Sequence, residues 1–271
     1  MIISGSLVLY KSRQNEYEDV IQSFLLACDV GDFYVIDNSP SPSSSKFFSN
    51  PRVKYCHLGV NLGFGAAHNE AIKVCCNISN LHLIINPDIN FNKQVLVNMV
   101  QEFRDDPSLV VAMPRVNYPN GELQRLCKLL PTPIDLLIRR FLPIPYIRSL
   151  IDARYELHCL PQDCSIEVPT LSGCFLLVRS KDLIAIGGFD PNYFMYLEDV
   201  DLVRRLSMRG LVKYLPATSI IHYYEKGSYR NIRLLSYHIV SAIKYFNKWG
   251  WFFDSGRKLV NNKILFEINK K

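Results

Sequence analysis

Several side chains in this sequence could do chemistry by their type and spacing. Glu198 and Asp199 open a helical pattern. At about 100° per residue, Val200, Leu202, Val203 and Leu206 form one apolar stripe. Glu198, Asp201, Arg204 and Arg205 fall on the other side, where Asp201 is spaced to pair with Arg205. Asp199 projects into the apolar arc within the first turn. An acid there is either a cap for free backbone N–H groups or a general base aimed into a cleft from a rigid element. Spacing alone leaves both readings open.

Asp88, in Asn86-Pro87-Asp88, is a hard oxygen donor suited to Mg²⁺ or Mn²⁺, an ion that would bridge it to a diphosphate. Pro87-Asp88 is also an ordinary turn pair. His222 closes a strand-like run just before Gly227-Ser228, where a metal or phosphate role competes with that of a satisfied strand histidine. Asp37 can accept hydrogen bonds from a base or ribose, or form a turn with Asn38 before the Ser/Pro-rich loop at 39–45. Gly63 and Gly65, in NLGFG at 61–65, either let the backbone approach a phosphorylated ligand at a helix N-terminus or only ease entry into that helix. The pattern is neither G-x-G-x-x-G nor a P-loop, which disfavours Rossmann-cofactor and ATPase readings.

The elements that must carry these residues alternate. Strand-like runs at 2–10, 33–36, 53–58, 81–85 and 109–113 are separated by helical patterns at 16–28, 66–76 and 94–103. This alternation predicts an α/β fold with a mostly parallel sheet and right-handed crossovers, and ligands at the carboxyl edge of its strands. Residues 37–38, 61–65 and 86–88 all converge on that edge. A hairpin turn is expected at 118–122. The proline-broken stretch 126–151 carries Lys128, Arg139, Arg140 and Arg148 against Asp135, as a lid, an acceptor-side surface or an irregular subdomain packed on the core. Further strands are expected at 174–178, 211–215 and 219–224.

With 271 residues, 48% hydrophobic and 21% charged, the chain can bury a full core. No apolar run reaches ~18 residues, and residues 1–10 lack a basic start, so neither a membrane span nor a signal peptide is expected and cytoplasmic residence is. The eight cysteines form no C-x-x-C pair and read as reduced, mostly buried thiols; His158, Cys159 and Cys164 are poorly spaced for a metal. Ten Lys/Arg against two acids after residue 225 give that segment +8 and leave −2 on residues 1–225. On residues 232–249, Leu234, Leu235, Ile239, Ala242, Ile243, Tyr245, Phe246 and Trp249 share one half, and Arg233, Lys244 and Lys248 the other. Such a basic amphipathic helix either lies on an anionic bilayer, at the inner face of the cytoplasmic membrane, or packs on the domain. No nucleic-acid partner is expected.

Six motifs stand in one order over about residues 2–225: VIDN at 35–38, NLGFG at 61–65 with Asn69, NPD at 86–88, GCFLLV at 173–178, GGFD at 187–190 and YLEDVDL at 196–202. In this the chain resembles the family 2 glycosyltransferases of the GT-A fold. FMYLEDVD at 194–201, with His222 and Ser228 downstream, is similar to bacterial rhamnosyltransferases that build O-antigen or other surface polysaccharides. The resemblance implies a GT-A nucleotide-binding sandwich over 1–225, with 126–160 as an acceptor-side insertion and 226–271 as a helical tail. It makes Asp199 the base of an inverting displacement. Donor contacts fall to Tyr10, Asp37, Asn61, Gly63, Gly65, Asn69, Asn86 and Asp88, and the acceptor side to Gly173, Tyr196 and Glu198. A divalent ion, Mg²⁺ or Mn²⁺, would sit on Asp88 with His222 as a further ligand. The favoured donor is dTDP-L-rhamnose, and the acceptor a saccharide or lipid-linked saccharide. The chain departs from the family in having Tyr10-Lys11 where Tyr-Asn is common, and Asn86 in place of the first acid of D-x-D. A nucleotidyltransferase would need a glycine-rich basic loop near the N-terminus, which 2–13 lacks. A non-catalytic scaffold would not need the intact Glu198-Asp199 and Asp88.

Overall fold

The computed structural model describes residues 1–138, 144–223 and 232–270. Arg139, Arg140 and Ser228, singled out from the sequence, lie outside the described residues. The chain builds one mixed sheet in the order β3-β2-β1-β4-β8-β6-β9-β5, with β7 also pairing with β9 along the flank that β6 leaves open. Its strands are β1 (Ile3–Leu9), β2 (Phe33–Asp37), β3 (Val53–His57), β4 (Leu81–Ile85), β5 (Ile89–Asn90), β6 (Leu109–Asn117), β7 (Ile166–Glu167), β8 (Phe175–Arg179) and β9 (Leu211–His222). The pairs β3–β2, β2–β1, β1–β4 and β6–β9 are parallel, whereas β8 runs antiparallel to β4 and β6. The mostly parallel α/β architecture read from the sequence is present. One expectation is corrected: the run at 211–215 and the start of that at 219–224 lie on a single strand, β9, which ends at His222 and whose pairing with β6 shifts register between Pro114 and Arg115.

β2 and β4 are buried along their whole length because helices cover both sheet faces, which is why their sequences read as apolar runs rather than alternations. The covering helices α1 (Gln14–Ala27), α2 (Phe64–Cys75) and α3 (Lys93–Asp105) turn Val20, Ile21 and Phe24, Ala71 and Ile72, and Leu96, Met99 and Phe103 inward. Asn92 caps α3 by accepting from the Val95 N–H at 3.3 Å. The core also holds a polar chain, since buried polar groups must find partners. Ser4 Oγ and Ser6 Oγ bracket the His82 ring at 2.8 Å each, and Ser6 reaches His68 Nδ1 at 2.7 Å.

Residues 126–138 are packed rather than lid-like. Cys127, Leu129, Leu130 and Leu136 are buried, and Asn261 holds both the N–H and the C=O of Leu130 at 2.9 Å. Helix α4 (Pro145–Tyr155) follows, then the short α5 (Ser180–Ala185) after β8 and α6 (Glu198–Leu206). Six of the eight cysteines are buried or half-buried; Cys56 and Cys159 are exposed.

The C-terminal helices are α7 (Ile232–Trp249) and α8 (Ser255–Asn269). Ala242, Tyr245 and Phe246 join the central core, so part of the apolar half of α7 packs on the protein, while Ile243 of that half is exposed. No helix among the described residues is long and apolar enough to cross a membrane. The tail also covers the side of α6 that the helical wheel set apart as polar: Asp201 is 0% and Arg204 5% exposed. Arg204 stacks on the Trp249 ring at 4.0 Å, donates to Tyr245 Oη at 3.0 Å and pairs with Asp254 at 2.8 Å. Asp254 in turn caps α8 by accepting from the Arg257 N–H at 2.9 Å. Asp201 makes the expected 2.8 Å pair with Arg205, and its other oxygen takes the Trp249 indole N–H at 2.8 Å.

Removing one partner of a buried ion pair leaves the other charge stranded, at a cost of about 3–5 kcal/mol. Asp254→Ala should therefore lower the free energy of unfolding by roughly that amount, as measured by urea denaturation. A change under ~1 kcal/mol would mean the Arg204–Asp254 pair does not anchor the tail.

Candidate active site

The carboxyl ends of β4, β6 and β9 and the start of the antiparallel β8 meet at one edge. Asn86 N–H donates to the Cys174 C=O at 2.9 Å, which brings the turn before β8 beside the end of β4. Gly173, in that turn, donates its N–H to Asp199 Oδ2 at 2.9 Å, and the Val200 N–H donates to Oδ1 at 2.8 Å. A Cβ on Gly173 would sit 3.2 Å from the Asp199 Cβ and 3.1 Å from the Phe64 ring, so glycine leaves room for the carboxylate. The helix entry is unusual: Tyr196 and Leu197 have φ of 70° and 63°, two successive left-handed residues that are not glycine. Such strain persists only where surroundings over-determine it, and it gathers at functional sites.

Burial pushes the Asp199 carboxyl above the usual range; the Gly173 and Val200 N–H groups and the Lys128 charge act in the opposite direction. Glu198, 6% exposed, is raised more clearly, first by burial and then by the adjacent Asp199 charge. Its Oε2 is buried without a hydrogen-bond partner. The pair therefore divides its work: Asp199 keeps a donor on each oxygen for a negative charge, whereas Glu198 Oε2 has none. The capping reading of Asp199 is realised, and the same carboxylate lines a cavity.

That cavity, about 730 Å³, is lined by Asn86, Gly173, Tyr196, Glu198, Asp199 and His222, with Arg125, Lys128 and His158 along one wall. A second of about 220 Å³ shares Lys128, Tyr196, Glu198 and Asp199. Asp88 lines a neighbouring cavity of about 280 Å³ with Arg13, Asn90 and Tyr223. The two sides join through His222, whose Nε2 lies 3.3 Å from Asp88 Oδ1. Adjacent ligands of a small octahedral cation at ~2.1 Å are about 3 Å apart, so a carboxylate and an imidazole at this separation fit a divalent ion. Gln124, which sequence reasoning missed, holds the other ring nitrogen: its Oε1 lies 2.9 Å from His222 Nδ1. A glutamine just after the hairpin turn at 118–122 carries no spacing signal.

Of the remaining donor candidates, Tyr10 is exposed at the end of β1, and five serve to build the loops. Asp37 was expected to meet a base or ribose, but it is 0% exposed. Its oxygens accept from the N–H of Ser39 and Ser43 and from Tyr55 Oη at 2.8–2.9 Å. Burial would raise its carboxyl, but the Ser39 and Ser43 bonds outweigh that and hold it below the usual range. Asn61 Oδ1 accepts from the Gly63 N–H at 2.9 Å and so shapes its own turn. Gly63, at φ 88°, allows close approach of a protein loop: a Cβ there would strike the Phe194 carbonyl. A Cβ on Gly65 would meet the Phe189 side chain at 2.8 Å. Asn69 grips Phe189 at both N–H and C=O, at 2.9 and 2.8 Å. These residues hold the 189–197 loop that delivers α6.

A mixed α/β sheet with its cleft at the strand ends and an acid at a helix start there is the fold of the GT-A glycosyltransferases. GalNAc-T7, solved with UDP, GalNAc and Mn²⁺, superimposes with a TM-score of 0.58 at 12% identity, over 83% of this chain and 44% of that one. The mannosyltransferase PcManGT from Pyrobaculum calidifontis, in complex with GDP-Man and Mn²⁺, gives 0.54 at 14% identity, over 89% and 64%. No protein-family model matches the chain. In sequence the chain is similar to rhamnosyltransferases. It is 27% identical over 197 residues to the N-acetylglucosaminyl-diphospho-decaprenol L-rhamnosyltransferase of Mycobacterium tuberculosis, covering 69% of this chain and 63% of that protein. It is 40% identical over 77 residues to the rhamnosyltransferase WbbL of Escherichia coli, 27% of this chain and 29% of that one. The chain thus spans less than two thirds of the length of these relatives.

A carboxyl whose pKa is raised by folding favours the folded state at low pH, and that contribution is lost as pH rises through the folded value. Glu198→Gln removes this liability. The variant should gain thermal stability over wild type at pH 9 and less or none at pH 6, in paired melting curves. Equal shifts at both pH values would show that Glu198 is not held protonated.

Proposed function

We propose that the chain is an inverting glycosyltransferase that moves a sugar from a nucleotide donor to a saccharide acceptor, with Asp199 as its base. The observation that carries this reading is a carboxylate pinned by two backbone N–H groups at the wall of a 730 Å³ cavity that also reaches His222. Asp199 takes the proton of an acceptor hydroxyl as its oxygen bonds to the anomeric carbon, and the nucleoside diphosphate leaves from the opposite face. The raised Asp199 carboxyl is a better proton acceptor than an ordinary aspartate. Glu198, kept neutral, is free to donate a hydrogen bond to the acceptor. Asp88 and His222 would hold a divalent cation, Mn²⁺ or Mg²⁺, which supplies positive charge for the leaving diphosphate.

Likeness to rhamnosyltransferases supports dTDP-L-rhamnose as the donor. Arg125, Lys128 and His158 in the lining suit an anionic acceptor, and a relative whose name specifies a diphospho-decaprenol acceptor supports a lipid-linked saccharide diphosphate. Such an acceptor would bring the protein to the inner face of the cytoplasmic membrane.

Transfer from a panel of dTDP-, UDP- and GDP-sugars to a lipid-diphosphate-linked saccharide tests the reading, with product and anomeric configuration read by mass spectrometry and NMR. An inverted rhamnoside is expected. A retained configuration would remove Asp199 as base, and a nucleotide-sugar formed from a sugar phosphate would make the chain a nucleotidyltransferase.

Asp199→Asn should cut turnover by roughly 10²–10⁴-fold while nucleotide binding by calorimetry is retained. Activity within ~10-fold of wild type would contradict the role. The acid limb of the kcat profile should lie above the ordinary aspartate value of ~3.9, with activity lost as pH falls through it. Lys128→Ala should raise the acceptor KM more than it lowers kcat.

A further inference from the structure

We propose that Gln124 is a positioning residue that presets His222 for a cation, fixing the imidazole with its proton on Nδ1 and its Nε2 lone pair toward Asp88. The inference rests on the cation reading of Asp88 and His222 given above.

The side-chain amide of Gln124 can point only one way. Gln124 is 4% exposed, and its own N–H is bonded to the Val116 C=O at 2.8 Å, which ties its backbone to β6. Its Nε2 faces two backbone carbonyls, His222 C=O at 2.8 Å and Asn117 C=O at 3.4 Å. A carbonyl accepts and cannot donate, so the amide NH₂ must lie on that side. Flipping the amide would set its oxygen against both carbonyls. The oxygen is therefore left for His222 Nδ1, at 2.9 Å, and an acceptor there requires a proton on Nδ1.

With Nδ1 held by the Gln124 oxygen, Nε2 is the ring atom turned toward Asp88 Oδ1, 3.3 Å away. A cation between Nε2 and Oδ1 would meet an imidazole nitrogen on one side and a carboxylate on the other. Their spacing is locked by backbone: Ile89 pairs with His222 across β5 and β9, and the Tyr223 N–H donates to the Asp88 C=O at 2.9 Å. Gln124 thus does for His222 what an outer hydrogen-bond partner does for a ligating histidine, setting ring orientation and tautomer before the ion arrives.

The tautomer can be read without metal and without altering Gln124. In ¹⁵N-histidine-labelled protein treated with chelator at pH 8, with His222→Ala to assign the signals, His222 should show a protonated Nδ1 and an unprotonated Nε2. A proton on Nε2, in either the other tautomer or an imidazolium, overturns the proposal. Mn²⁺ binding, followed by electron paramagnetic resonance of the free ion with and without dTDP, supplies the second arm. Gln124→Leu should weaken Mn²⁺ by roughly 10–100-fold. Asp88→Asn and His222→Ala should lose the ion. If those two lose it while Gln124→Leu binds as wild type does, the Gln124 role fails and the cation site stands. If wild-type protein takes up no Mn²⁺ in either condition, the cation site fails and the inference with it.

Discussion

A negative charge at the first turn of α6 has to be held against burial, and the Gly173 and Val200 N–H groups hold it. The rest of the site depends on that contact. Gly173 reaches Asp199 only because β8 runs antiparallel to β4, which places the start of β8 at the same edge as the ends of the parallel strands. The helix meets it there only because two left-handed residues turn the chain sharply after the aromatic loop. The loop is gripped from one side by Asn69 on α2, and from the other by Ser241 on α7, whose hydroxyl donates to the Met195 C=O at 2.7 Å. Positioning to within a few tenths of an ångström asks for such a supporting shell, because a reacting group is only as well placed as the residues behind it.

The tail belongs to that shell. Its positive charge was expected to seek an anionic surface outside the molecule, yet much of it is spent inside. Lys248 bridges Asp190 and Asp201 at 2.7 and 2.8 Å, and Lys263 pairs with Glu167 at 2.8 Å. An excess of acid on residues 1–225 thus meets an excess of base on the segment after them. Arg204, Tyr245, Trp249 and Asp254 then form a buried knot under α6, where low dielectric makes each bond count for more and each unpaired charge costly.

The periodic features were legible before folding. Apolar runs and 3.6-residue stripes placed the helices and most strands within two or three residues, and the α/β alternation implied the carboxyl edge where the cleft lies. Asp88, Asp199 and His222 were singled out because acids and histidines at strand and helix ends are chemically conspicuous. Asp37, Asn61, Gly63, Gly65 and Asn69 were assigned to a ligand on the same grounds, and the fold uses them on its own backbone. A carboxylate that accepts N–H groups from a nucleotide and one that accepts them from Ser39 and Ser43 are the same residue in a sequence. Gln124 illustrates the converse: a neutral amide gains meaning only once β6 and β9 bring it against an imidazole 98 residues away.

By itself, then, the chain's order of residues determined which segments alternate, which face of each is apolar and where hard ligands and bases could stand, since these follow from local periodicity and side-chain chemistry. Tertiary structure decided which polar groups find each other. It turned the amphipathic face of α7 inward, buried the polar side of α6 and aimed Asp199 and His222 at one cavity. Those outcomes depend on contacts between residues far apart in the chain, where a partner's distance and direction choose between a loop anchor and a ligand.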